Sequence, residues 1–113
     1  MIRIGVIGYG RIGRRIVERS RQWEQPPTLA AVLVRPEQAE AAARELGSST
    51  VCCDLPAFLA KEPDVVVECA SAATFVAAAP EVLRAGIDLI PLSLAALADE
   101  AVEREILAAA TSG

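Results

Sequence analysis

The residues best suited to chemistry stand at the start of the chain. Met1-Ile2-Arg3-Ile4-Gly5-Val6-Ile7 runs straight into Gly8-Tyr9-Gly10-Arg11-Ile12-Gly13, and a helical pattern follows. An apolar run, the spacing G-x-G-x-x-G and a helix start together predict a phosphate site. Gly8 permits a tight turn out of a strand. Gly10 offers no side chain to hold a pyrophosphate off the backbone, and Gly13 lets the helix press against the strand. The first turn of that helix then presents free N–H groups and the positive end of its dipole. Dinucleotide binding is the reading, and a purely structural glycine-rich turn is the alternative. Arg11 sits inside the loop itself. Arg14, Arg15, Arg19 and Arg21 read as a solvated face of the helix.

Other chemistry is scarce. The 113 residues contain no histidine, so the commonest general acid or base is missing, and no catalytic residue is named. Cys52, Cys53 and Cys69 have neither disulfide-framework nor metal-ligand spacing, so no metal is expected. All three read as small buried hydrophobes in reduced surroundings.

The elements that must position the loop follow from hydrophobic patterning. Strands are expected over 2–7, 28–34, 51–53, 64–70 and 87–90, and helices over 11–22, 36–46, 55–61 and from Ser71 to Ala85. Ile12, Ile16 and Val17 are expected on the inner face of the first helix. The run Asp64–Ala70 is continuous rather than alternating, which predicts burial on both faces. Pro80 should kink its helix or start a second piece, and Gly86 should cap it. Asp99 should N-cap a last helix over 100–110, with Val102, Ile106 and Ala109 or Ala110 inward. Strands alternating with helices give an α/β class: one domain over 1–113, a Rossmann-like doubly wound parallel sheet ordered 3-2-1-4-5. Ligands bind where that order reverses, between the loops Gly8–Gly13 and Glu68–Ser71, with Ser93 next along the edge.

An NAD-specific sheet usually ends its second strand in Asp or Glu, which holds the adenosine ribose. Here the position is Val34 or Arg35. Arg35 would attract the 2′-phosphate of NADP, so the cofactor is read as NADP or NAD, with NADP favoured.

Composition narrows the partners. The chain is 53% hydrophobic and 4% aromatic, an aliphatic mix that suits buried parallel strands. Its net charge of −4, without charge blocks, argues against nucleic acid. No apolar run reaches about 18 residues, so no membrane span is expected. Nor does the start read as a signal peptide, and cytoplasm is the expected location.

The opening Ile4–Arg15 resembles the start of glyceraldehyde-3-phosphate dehydrogenase, but only locally. A second resemblance covers nearly the whole chain. Pro63–Ser71, Ala79–Ile90 and Leu92-Ser93 through Leu97-Ala98-Asp99 are similar to the L-aspartate dehydrogenase family, whose N-terminal domain is related to that of homoserine dehydrogenase. The resemblance implies oxidation of L-aspartate with NAD or NADP to iminoaspartate, which hydrolyses to oxaloacetate and ammonia or feeds NAD synthesis. It places Gly8, Tyr9, Gly10, Arg11, Ile12 and Gly13 around the pyrophosphate, Arg35 near the adenosine ribose, and Ala70, Ser71 and Ser93 toward the nicotinamide. The family's valine-serine-x-glycine-alanine pattern stands here as Leu92-Ser93-Leu94-Ala95-Ala96, with alanine where glycine is usual. A sixth strand and a substrate domain, which supply the catalytic histidine and the aspartate-binding residues, are expected to be missing. Strand five would then be an open edge, so self-association or marginal stability is expected. Two alternatives are a non-catalytic nucleotide-binding or regulatory module and the Rossmann half of another amino-acid or sugar dehydrogenase.

Overall fold

A computed structural model of the chain describes residues 1–92, 104 and 107–111. Five parallel strands form one sheet: β1 (Arg3–Ile7), β2 (Thr28–Leu33), β3 (Val51–Cys52), β4 (Val65–Glu68) and β5 (Asp88–Pro91), in the expected order 3-2-1-4-5. The helices are α1 (Arg11–Ser20), α2 (Ala39–Leu46), α3 (Leu55–Leu59) and α4 (Ala72–Arg84). A 3₁₀ turn over Pro36–Gln38 leads into α2, because Pro36 fixes the first turn without needing a donor. Residues 104 and 107–111 are helical, and Ala109 is buried while Ala110 is exposed. Asp99, Val102 and Ile106 lie outside the described residues.

Local sequence explains the helix ends. The side chains of Asp54 and Ser71 accept hydrogen bonds from the N–H groups of Ala57 and Thr74, capping α3 and α4. Helix α4 runs through Pro80 without a break, contrary to the expectation of a second piece. Gly86, with φ +75°, follows its C-terminus.

Two cores sandwich the sheet. On one face Phe58 of α3 and Ala78 and Val82 of α4 pack on Ile7, Ala31, Cys52 and Val66. On the other, Val17 of α1 and Ala42 of α2 pack with Val6, Val32, Val34 and Tyr9. Two expectations fail on this second face. Ile12 is 55% exposed, because α1 buries the stripe Gly13–Val17–Ser20 instead. Gly13 lets that stripe come closest to the sheet, and Ile12 is turned aside. In β4, Val66 and Glu68 are buried while Val65 and Val67 are half-buried, so the strand is fully covered on one face only. The cysteines also divide: Cys52 is buried, Cys69 half-buried and Cys53 exposed.

Candidate cofactor site

The glycine loop joins β1 to α1 at the C-terminal edge of the sheet. Gly8 adopts φ +91°, which side chains rarely tolerate, and a Cβ there would lie 2.9 Å from the Cα of Ala70. A Cβ on Gly13 would lie 2.3 Å from the carbonyl oxygen of Gly8 and 3.0 Å from the sulfur of Cys69. The loop, α1 and the end of β4 therefore touch through backbone. Gly10 differs: a Cβ there would meet nothing within 4 Å, so its backbone lies bare. No side chain caps the first turn of α1, and no acidic residue lies in it. This is a helix N-terminus prepared for an anion.

Neighbouring side chains fix the loop. The Tyr9 hydroxyl donates to Oε2 of Glu45 on α2 at 2.9 Å. The Arg14 guanidinium stands 5.2 Å from the Tyr9 ring centroid and pairs with Glu45 at 3.4 Å. Burial, then the bond to Glu45 and its charge, raise the Tyr9 pKa above its ordinary value, and Arg14 opposes the shift. At the end of β4, the buried Glu68 carboxylate accepts the Ala70 N–H at 2.8 Å, which bends the chain into Ser71. The Cys69 thiol donates toward the carbonyls of Ile7 and Gly8 at 3.4 and 3.3 Å. Burial, with Glu68 adding to it, pushes this thiol up to about 11, so it stays protonated.

These elements wall a cavity of about 480 Å³ at the point where strand order reverses, a size within the range of ligand sites. Of the expected site residues, Gly8, Tyr9, Gly10, Arg35, Ala70 and Ser71 line it. Arg11 and Ile12 do not; their side chains line a depression on the other side of α1. Gly13 is buried behind the loop, and Ser93 lies outside the described residues. Gln38, Cys53, Leu55 and Thr74 also line the cavity and were not expected. Cys53 was open to sequence reasoning, since it directly follows β3 and strand C-terminal ends build such sites. Val34 and Arg35 both line the cavity; Val34 is buried and packs with Val17 and Ala42, whereas Arg35 is exposed and carries the charge. Among the described residues, Arg35 is the only charged residue lining the cavity. No group of residues among them could hold a metal ion, and no helix among them is long and apolar enough to cross a membrane.

Comparison with known proteins points to an NAD-binding domain. The family described as homoserine dehydrogenase, NAD binding domain, matches residues 8–113. L-aspartate dehydrogenase 1 of Bordetella pertussis is 37% identical over 112 residues, covering 98% of this chain. L-aspartate dehydrogenase of Methanospirillum hungatei is 33% identical over 113 residues, covering 99% of it. The chain spans 41% and 43% of the length of these two relatives. An oxidoreductase structure from Sinorhizobium meliloti matches with a TM-score of 0.76 at 28% identity, over 99% of this chain and 34% of that one. The WlbA dehydrogenase of Bordetella pertussis, in complex with NADH and UDP-GlcNAcA, shares the fold with a TM-score of 0.79 at 22% identity, over 97% of this chain and 34% of its own.

Proposed function

This chain belongs to the homoserine dehydrogenase NAD-binding domain family, and from that premise we propose that it forms the cofactor half of an L-aspartate dehydrogenase. The observation that carries this reading is the 37% identity, over 98% of the chain, to a relative named for that activity. The cavity fits the cofactor: its backbone is bare at Gly10, and α1 opens without an acidic residue.

In this reading the backbone of Gly8, Tyr9, Gly10, Arg11, Ile12 and Gly13 cradles the pyrophosphate, with the side chains of Arg11 and Ile12 turned away. Arg35 meets the adenosine ribose. Ala70, Ser71 and Ser93 flank the nicotinamide. The bound nicotinamide supplies the acceptor for a hydride leaving the α-carbon of L-aspartate. The chain's own residues bind and orient. They include no histidine, and no carboxylate lines the cavity among the described residues. The relatives have more than half their length outside the matched region, and the proposal assigns substrate binding and proton transfer to that part.

Arg35 selects the cofactor. Of the two residues that follow β2, Val34 and Arg35, both line the cavity and neither is a carboxylate that could accept from a 2′-hydroxyl; the guanidinium of Arg35 is the charged group there. Its one ion pair, to Glu37 at 3.4 Å, is exposed and weak. A 2′-phosphate offers the stronger, forked partner, so NADP is preferred over NAD.

The test is a chimera in which residues 1–113 replace the matched region of the Bordetella pertussis L-aspartate dehydrogenase 1. L-Aspartate-dependent reduction of NADP or NAD supports the reading. A chimera that folds and binds cofactor, yet ignores L-aspartate, contradicts it.

A further inference from the structure

Strand β4 reads Val65, Val66, Val67 and then Glu68. Glu68 is 0% exposed, the one buried charged residue among the described residues. It shares the face of Val66, which packs in the core with Phe58, Ala78 and Val82. Taking a carboxylate out of water is costly unless hydrogen bonds replace the water. A valine would extend the strand without that cost.

Glu68 stands where three connections meet. Its side-chain Oε2 accepts the Ala70 N–H at 2.8 Å, and its backbone carbonyl accepts the Leu92 N–H at 2.9 Å. The first bond sets the exit from β4, and the second sets the exit from β5. Ala70 in turn lies against the glycine loop, since a Cβ on Gly8 would come within 2.9 Å of both its Cα and its Cβ. The Cys69 N–H fixes the same approach by donating to the Ile7 carbonyl at 3.0 Å. Ala70 is thus held twice, by contact with Gly8 and by the bond to Glu68. Cys69, Ala70 and Ser71 line the cavity and Glu68 does not, so any effect of Glu68 on a ligand passes through the turn it holds. That turn walls one end of the cavity. Arg35, Gln38 and Cys53 follow β2 and β3 and wall the other, with β1 between.

We propose that Glu68 is a positioning residue for the nicotinamide end of the cofactor. Its carboxylate holds the turn 69–71 where the ring rests, without touching the ring. The proposal rests on the reading of the cavity as a nicotinamide dinucleotide site. A turn tethered in advance does not have to be ordered when the cofactor arrives, and binding is tighter for it. The adenosine end, across β1, should not sense the loss of the carboxylate.

The test is calorimetric titration of the 113-residue chain and three variants with NADP and with 2′-phospho-ADP-ribose, which is NADP without its nicotinamide. The ratio of the two affinities isolates the nicotinamide end, because general damage to the fold weakens both ligands alike. The wild type is expected to favour NADP by about tenfold. Glu68→Met fills the same space without an acceptor. Glu68→Asp keeps the charge but falls one methylene short of Ala70. Both should lose the preference for NADP while binding the truncated compound as the wild type does. Glu68→Gln keeps an oxygen for the Ala70 N–H and should retain the preference, a rescue by the hydrogen bond rather than by charge. Should Glu68→Met not fold, Glu68→Asp carries the same comparison. A folded Glu68→Met or Glu68→Asp chain with the wild-type preference overturns the proposal. So does equal weakening of both ligands, which marks a structural role alone, and so does a Glu68→Gln chain that loses the preference. A wild-type chain that binds both compounds equally overturns it too, while leaving the cofactor site standing. One that binds neither overturns the cofactor reading and the proposal with it.

Discussion

Gly10 and Gly13 stand three residues apart in one motif, yet adding a methyl group to each has different consequences. At Gly13 the new Cβ would lie 2.3 Å from the carbonyl oxygen of Gly8, and ordinary contact begins at 3.4 Å. Helix α1 would have to move by about 1 Å against a backbone atom that cannot turn aside. Overpacking of this kind costs about 1–3 kcal/mol. Alanine's better helix propensity returns only about 0.5–1 kcal/mol. Gly13→Ala is therefore expected to lower stability by about 1–2 kcal/mol and to weaken cofactor binding as the helix N-terminus shifts. At Gly10 the new Cβ would meet nothing within 4 Å, and φ is −89°, so neither clash nor backbone strain arises. Gly10→Ala should leave stability within about 0.5 kcal/mol of wild type. Its methyl group would stand where the pyrophosphate meets the backbone, and affinity should fall by about tenfold or more, or 1.4 kcal/mol. Urea unfolding followed by circular dichroism gives the first quantity, and calorimetric titration with NADP gives the second. A Gly10→Ala chain that binds NADP as tightly as wild type would refute the placement of the phosphate. A Gly13→Ala chain of undiminished stability would refute the close approach of α1.

Arg35→Asp exchanges the phosphate-seeking cation for a carboxylate that accepts from a ribose hydroxyl. It should shift the ratio of NAD to NADP affinity toward NAD by about tenfold or more, read from paired titrations. Tyr9→Phe keeps the packed ring and removes the hydroxyl that donates to Glu45, lowering stability by about 1 kcal/mol in urea unfolding. The Cys69 thiol is pushed from 9.0 to about 11 in the folded chain, and the unfolded chain ionises first. Stability should therefore fall as pH rises from about 9 toward about 11, and Cys69→Ala should flatten that part of the profile. Cys53 is exposed and lines the cavity, so iodoacetamide should label it first, and saturating NADP should slow the labelling.

The sheet order and the glycine loop were legible because each rests on local signals. The run Arg3–Ile7, the three glycines and the cap at Ser71 each declare their own conformation, and right-handed crossovers then leave few topologies. What was not legible depends on the phase of one element against another. Ile12 has the spacing of an inward residue, yet Gly13 sets the closest approach of α1 and turns Ile12 to the outside. Val65 and Val67 read as doubly buried because a β-branched run cannot say which neighbour is missing from one face. After β2, Val34 and Arg35 both line the cavity, so the sequence could not single out one of them, and their burial separates the packed valine from the exposed arginine. Gln38, Leu55 and Thr74 follow three different strands and share a cavity only once β2, β3 and β4 are placed in the sheet.

The central claim is that the cavity between the β1 and β4 loops binds a nicotinamide dinucleotide. It is tested most directly by titrating the chain with NADP and NAD in a calorimeter, alongside Gly10→Ala. The account predicts saturable binding of both, NADP the tighter, with Gly10→Ala weakening each while unfolding like wild type. A folded wild-type chain that takes up neither cofactor would contradict it.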